Sequence, residues 1–231
     1  MRRSILLGAA AGLVLLAIVA AVGARAGVVA IPIERPDGTS FWHASRAAGV
    51  AAYAALTVEI VFGLLLSTGA GDRWIARARS VEIHRFLSAA ALSLLGAHAL
   101  ALLADRFIRF DALDVLVPFV AQYRPFAVGI GVLAAYAAVV VHASFGLRRH
   151  IGQRAWRSLH AVSFAVFALA TAHGLLAGTD ARLPWMQTLY ASSAGLVLAL
   201  TAYRLLDLRR ARSRTPGSAT TARWTAARGT E

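Results

Sequence analysis

The sequence contains no cysteine and no lysine, and methionine occurs only as Met1 and Met186. Without cysteine the chain cannot form disulfides, iron–sulfur clusters, covalently attached haem or thiolate zinc sites. Because methionine is nearly absent, a buried metal would have to be bound by histidine or carboxylate. Charged residues make up only 15% of the 231 residues, and they cluster between long apolar segments.

The apolar segments dominate what remains, with 58% hydrophobic residues and a mean hydropathy of +0.64. Each is about 20 residues long, which is the length that crosses the hydrocarbon core of a bilayer. The sequence therefore predicts an all-α polytopic membrane protein, a six-transmembrane-helix bundle within residues 1–208. A disordered basic tail is expected at 209–231, resting on anionic lipid headgroups. The predicted spans are 4–23, 47–69, 83–104, 125–147, 158–178 and 188–208.

The first segment has two interpretations. Two arginines, an apolar stretch and small residues near position 24 are also typical of a cleaved signal peptide. The apolar stretch is longer than the core of most signals, and this favours a retained helix. The segment 105–124, which includes LDVLVPF, is expected to lie along the membrane interface.

The formal charge of +13 comes from arginine alone. Because the arginines flank apolar segments, they indicate membrane topology, and no nucleic-acid partner is expected. With a cytoplasmic N-terminus, 17 arginines fall on the inner side and 7 on the outer side. This predicts a bacterial plasma-membrane protein with both termini in the cytoplasm. Trp42 and Trp185 would mark the outer interface, and Trp74 and Trp156 the inner one.

Four histidines inside the predicted spans form two pairs. His84 and His98 are 14 residues apart, and His160 and His173 are 13 apart. Fourteen residues rise about 21 Å and return to the same helix face, so the pairs would lie at two depths. Thirteen residues leave an offset of about 140°, which a tilt, a tightened turn or different approach angles would have to absorb. Isolated interhelical hydrogen bonds are the alternative, but two matched pairs favour bis-histidine metal binding.

The paired spacings and the string WRSLH at 156–160 resemble the ferric reductase-like transmembrane domain family over residues 47–208. That resemblance implies haem b bound by His84 with His160 and by His98 with His173. Two haems are expected in preference to one. The family also implies transfer of electrons across the membrane. No flavin or nicotinamide domain is expected in the short tail, so the chain would be an oxidoreductase subunit. A separate flavin-containing reductase or quinol would donate electrons to it, and ferric iron or a periplasmic redox partner would accept them.

Haem propionates need cationic partners at each surface. Arg79, Arg85 and Arg157 are candidates for the inner haem. Arg106, Arg182 and Arg109 are candidates for the outer one. The alternative is that these arginines only set topology and reach toward the headgroups.

Glu59 and His142 are further polar residues within the spans, where such side chains are costly and usually functional. Glu59 could relay a proton, tune the haem potential or face a quinol, or it could be protonated and bonded to a neighbouring helix. His142 could be a quinol or proton-relay residue or a substitute ligand, and a polar helix contact is favoured. They support an alternative function, a proton-coupled transporter or channel that uses Glu59 and the buried histidines. A haem-free membrane scaffold is a third hypothesis.

Overall fold

A computed structural model describes residues 39–72 and 74–213 of the chain. In this part of the chain every regular element is a helix and no strand occurs, which confirms the all-α prediction. The helices, in chain order, are α1 Ser40–Thr68, α2 Arg77–Ala104, α3 Ala112–Leu116, α4 Pro125–His160, α5 Ser163–Ala177 and α6 Pro184–Ser213.

Four helical stretches are long and apolar enough to cross a membrane: Ser40–Thr68, Arg77–Ala104, Pro125–Ala177 and Pro184–Arg209. They contain the predicted spans 83–104, 125–147 and 188–208 in full, and all but the last residue of 47–69 and 158–178. The predicted span 4–23, and with it the choice between a signal peptide and a retained helix, lies outside the described residues.

The 53-residue stretch Pro125–Ala177 folds back on itself. Gly152 has φ 79° and ψ 162°, a non-helical conformation that glycine adopts readily because it lacks a Cβ atom. The backbone oxygen of Ala127 lies 2.8 Å from Nδ1 of His173. In one straight helix those residues would be about 69 Å apart. The stretch is therefore an antiparallel hairpin, and its two arms carry the predicted spans 125–147 and 158–178.

The second arm is not the single helix that was predicted. His160 ends α4, and α5 begins at Ser163. Between them, Val162 N bonds Leu159 O at 3.1 Å and Phe164 N bonds Ala161 O at 3.2 Å. These are bonds to the third residue back, as in a 3₁₀ turn, which rotates about 120° per residue instead of 100°. The tightened turn removes roughly 60° of the offset expected from the 13-residue interval.

Small residues allow α1 and α2 to approach closely. Ala51 and Ala55 of α1 pack against Ala91 and Leu94 of α2, and all four are buried. Between membrane helices, small side chains favour association because they bring the backbones near enough for extensive van der Waals contact. The same closeness places side chains of α2 within reach of backbone carbonyls on α1.

The structure extends the last predicted helix and adds a short helix in segment 105–124. The helix α6 continues to Ser213, five residues past the predicted end of the bundle at 208. Arginine is a good helix former, so the helix extends beyond its apolar part. The remainder of the predicted tail lies outside the described residues. In segment 105–124 the short helix α3 begins at a capping box formed by Asp111 and Asp114, and Leu113 and Leu116 are exposed on it.

Candidate functional site

Two histidine pairs lie between α2 and the α4–α5 hairpin. The ring centroids of His84 and His160 are 6.0 Å apart, with ring planes at 79°. Those of His98 and His173 are 6.3 Å apart, with planes at 76°. The structure thus brings together the histidines that the sequence paired, at two levels that 14 residues of α2 separate by about 21 Å.

Three of the four rings are hydrogen-bonded to backbone carbonyls. Nδ1 of His84 lies 3.1 Å from Glu59 O, and Nδ1 of His173 lies 2.8 Å from Ala127 O. Nδ1 of His98 lies 2.8 Å from Ser45 O, with the Ser45 hydroxyl at 2.9 Å. A carbonyl oxygen can only accept, so Nδ1 carries the proton in each ring and Nε2 keeps its lone pair. That is the tautomer of a metal-binding histidine whose other nitrogen is held by a second group.

His160 is held by a different contact. Its ring stacks on Trp156, with centroids 5.0 Å apart and planes at 20°. The guanidinium carbon of Arg148 lies 5.1 Å from the centroid of the Trp156 ring. Trp156 Nε1 is buried and has no hydrogen-bond partner among the described residues. Trp156, which the sequence predicts at the inner membrane interface, thus packs against a candidate ligand with a free N–H donor.

A cavity of about 980 Å³ joins the two pairs. All four histidines line it, and most of the other lining side chains are apolar. Its volume is at the upper end of the range of about 300–1,000 Å³ found for small-molecule sites. A large, mostly apolar ligand with a few polar groups suits such a cavity.

The predicted arginines divide into two groups. Arg85 and Arg157 line the cavity, whereas Arg79, Arg106, Arg109 and Arg182 are exposed and do not line it. The sequence did not single out four further arginines that do line it, namely Arg46, Arg77, Arg148 and Arg204. Arg46 forms an ion pair with Asp180 of the α5–α6 loop. Position along the chain gives depth but not which face of a helix turns toward the cavity, and this is why the prediction was incomplete.

Glu59, Ser88 and His142 form a polar cluster on the cavity wall. The Ser88 hydroxyl lies 2.9 Å from Nδ1 of His142, and Glu59 lines the same cavity. Ser88 lies one turn after His84 on α2, so this cluster is close to the His84–His160 pair. It includes the two polar residues that the sequence left with open roles.

Within residues 39–72 and 74–213, no group of three or more histidine, aspartate or glutamate side chains is arranged to bind a metal ion. The candidate ligands occur as pairs. Comparisons of the chain with protein-family models, curated proteins and solved structures found no match.

Proposed function

We propose that this protein is a membrane electron-transfer subunit that binds haem b between paired histidines. The observation that carries the proposal is the geometry of the two pairs. In each pair two imidazoles that line the cavity have centroids 6.0 or 6.3 Å apart, and backbone hydrogen bonds leave Nε2 unprotonated in three of the four rings. Function as a ferric reductase-like oxidoreductase subunit is part of this proposal.

The separation of the rings fits a single metal between them. A metal–imidazole bond is about 2 Å long and the centroid lies about 1.2 Å beyond the nitrogen, so two imidazoles on opposite sides of one metal place their centroids about 6.4 Å apart. The observed values are 6.0 and 6.3 Å. His84 with His160, and His98 with His173, would hold the group. Haem b would supply one-electron iron chemistry there.

Other residues fit the edges of such a group. The apolar cavity wall suits a macrocycle, while Arg85 and Arg157 are cationic partners for propionates. The free N–H of Trp156 is a further donor near His160. At the level of His98 and His173, Arg46 is the arginine that lines the cavity, paired with Asp180.

The proposed setting is a six-span bundle in a bacterial plasma membrane, with both termini cytoplasmic. The arginine bias supports this orientation. It places the His84–His160 pair near the cytoplasm and the His98–His173 pair near the outer surface. A periplasm-dependent reporter enzyme fused after Glu231 should be inactive, whereas a cytoplasm-dependent reporter at the same site should be active. The reverse result would contradict the orientation.

Electrons are proposed to enter from a separate flavin-containing reductase or from quinol. They leave to ferric iron or to a periplasmic redox protein. The two histidine levels, about 21 Å apart along α2, supply two positions along that path. The proposal therefore requires two haems per chain, one at each pair.

The deciding experiment is spectroscopy on the purified protein produced with an adequate haem supply. We expect a Soret band, two haems b per chain by haem quantitation, and low-spin ferric signals in electron paramagnetic resonance. A protein without a Soret band, or one with a dominant high-spin signal, would contradict bis-histidine binding. The His84→Ala/His98→Ala double variant is the matched control, since it removes one ligand from each pair.

Proton-coupled transport is the second candidate, favoured by the cluster of Glu59, Ser88 and His142. A hydroxyl bonded to an imidazole, with a carboxyl on the same cavity wall, supplies the elements of a proton relay. This function predicts proton flux in vesicles that Glu59→Gln abolishes, with no requirement for haem. Flux that persists in haem-free protein would favour the transporter, and its absence in a haem-loaded protein would exclude it.

A further inference from the structure

The backbone of α1 presents two carbonyls at the spacing of the histidines on α2. Ser45 O bonds His98 and Glu59 O bonds His84, and Ser45 and Glu59 are 14 residues apart, as are the two histidines. Since α1 and α2 run antiparallel, equal spacing keeps both contacts in register. The match is a property of the helix pair rather than of one contact.

A glycine follows each of these carbonyl residues by four positions. A Cβ atom at Gly49 would lie 3.0 Å from Nδ1 of His98, and one at Gly63 would lie 3.2 Å from Cε1 of His84. Both distances are shorter than ordinary van der Waals contact. A methyl group at either position would therefore press on the ring that bonds the carbonyl one turn before it.

The third bonded histidine repeats this arrangement on a different helix. His173 bonds Ala127 O on α4, and Gly131 follows Ala127 by four positions. A Cβ atom at Gly131 would lie 2.5 Å from Nδ1 of His173, a distance that real structures do not show. Two unrelated helices thus use the same local device.

We propose that a helix carbonyl at position i with a glycine at i+4 forms a seat that fixes each of these imidazoles for haem binding. In a helix, a side chain at i+4 lies over the preceding turn and would cover the carbonyl of residue i. Glycine leaves the second lone pair of that carbonyl open to Nδ1–H, while the first accepts the helix bond. The seat sets the ring plane, holds the proton on Nδ1 and makes Nε2 a more basic ligand.

Ser45, Glu59 and Ala127 are positioning residues by this proposal, and Gly49, Gly63 and Gly131 make their carbonyls accessible. The proposal rests on haem binding by the histidine pairs. In the described part of the chain, no carbonyl is bonded to the ring of His160, which stacks on Trp156 instead. Only one of the two pairs therefore has both ligands seated.

Glycine-to-alanine variants test the seats directly. Gly131→Ala should remove the low-spin signal of the His98–His173 centre or shift its g-values, leaving the other centre unchanged. Gly49→Ala, with a milder clash, should shift the midpoint potential of the same centre to more positive values. Gly63→Ala should affect only the His84–His160 centre. A general packing role would instead lower the melting temperature and alter both centres together.

Gly96→Ala on α2 and Gly195→Ala on α6 are matched controls, because neither residue lines the cavity and a Cβ atom at either position meets nothing within 4 Å. Their spectra and potentials should equal those of the unmodified protein. If Gly49→Ala and Gly63→Ala are indistinguishable from these controls, the seats are not positioning devices. That conclusion holds even if Gly131→Ala fails to fold.

Nitrogen-15 NMR of haem-free protein labelled in histidine separates this proposal from haem binding itself. His84, His98 and His173 should be in the Nδ1–H form before any haem is added. Assigned Nε2–H forms for these residues would overturn the seats, even in a protein that binds haem. Nδ1–H forms in a protein that never takes up haem would instead contradict the proposed function and leave the seats intact.

Discussion

The two histidine pairs have similar ring geometry, but different contacts hold their rings in place. Both join α2 to the α4–α5 hairpin with ring centroids close to 6 Å apart and nearly perpendicular planes. In the His98–His173 pair both rings donate to backbone carbonyls. In the His84–His160 pair one ring does so, and the other stacks on the indole of Trp156.

The charges around the two pairs also differ. Arg85, Arg148, Arg157 and Arg204 line the cavity on the side of His84 and His160. At the other end Arg46 is neutralised by Asp180. One pair is thus anchored by the backbone in a nearly neutral setting, and the other is partly anchored by a side chain in a cationic setting. Equal ligand sets can therefore have different reduction potentials.

Removal of single ligands tests the comparison with the largest expected effect. His84→Ala and His160→Ala should each reduce the haem content from two per chain to one, and so should His98→Ala and His173→Ala. Optical and resonance spectra should show that the first two variants lose one centre and the last two lose the other.

The double variant within one pair should lose no more haem than either single variant, because the members of one site act as a unit. A double variant across pairs should lose both haems. If His84→Ala and His173→Ala remove the same haem while His98→Ala has no effect, the pairing described above is wrong.

A difference in midpoint potential is the next expected effect. The centre at His84 and His160 should have the more positive potential, because one ligand lacks a carbonyl bond and nearby guanidinium groups favour the less positive ferrous iron. Potentiometric titration, with each centre assigned from the single-ligand variants, measures this. Electron transfer from this inner centre to the outer one would then run against the difference in midpoint potential, and the membrane potential, worth about 2.3 kcal/mol per 100 mV for a full crossing, would offset that difference.

Equal potentials, or a more positive value at His98 and His173, would show that ligand hydrogen bonds and arginines do not control the difference. The titration should be repeated at high and low salt, since the contribution of exposed arginines is screened and that of ligand hydrogen bonds is not.

Substitution of Trp156 should produce a smaller change, confined to one centre. Trp156→Leu removes the ring that stacks on His160, so we expect altered g-values and weaker haem retention at His84–His160. Trp156→Phe keeps an aromatic face but removes the N–H, and should give an intermediate result. The centre at His98 and His173 serves as an internal control, and a change there would indicate a general loss of packing.

The arginines should have the smallest effects. Arg85→Gln and Arg157→Gln should lower the potential of the His84–His160 centre, because each removes a cation from the cavity wall. Arg79→Gln and Arg106→Gln are controls of the same chemistry at exposed positions outside the cavity. Equal shifts in all four variants would indicate a general surface-charge effect rather than contact with haem.

Several features of the fold follow from sequence periodicity and composition. Long apolar segments separated by glycine, proline and arginine predicted helices that the structure contains from Ser40 to Ser213. The histidine spacings predicted which rings would meet. Both depend on the fixed rise and rotation of the α-helix, which a sequence carries directly.

The sequence also contains the glycine spacing of the seats, although the prediction of the site rested on the histidine spacings alone. Gly49 and Gly63 are 14 residues apart, the same spacing as His84 and His98. That match has meaning only when α1 and α2 are known to be antiparallel neighbours. A spacing within one segment cannot identify its partner segment.

What the sequence determined by itself is that the described chain is helical, where its long apolar segments lie, and which histidines meet in pairs. Tertiary structure decided which backbone carbonyls accept hydrogen bonds from the histidine rings and which arginines line the cavity. It also introduced the 3₁₀ turn after His160, which reduces the rotational offset between His160 and His173. The physical reason is that rise along a helix is local, whereas the direction of a side chain relative to a neighbouring helix depends on packing. Small residues such as Ala51 and Ala91 permit that close packing, but only the assembled helices fix its register.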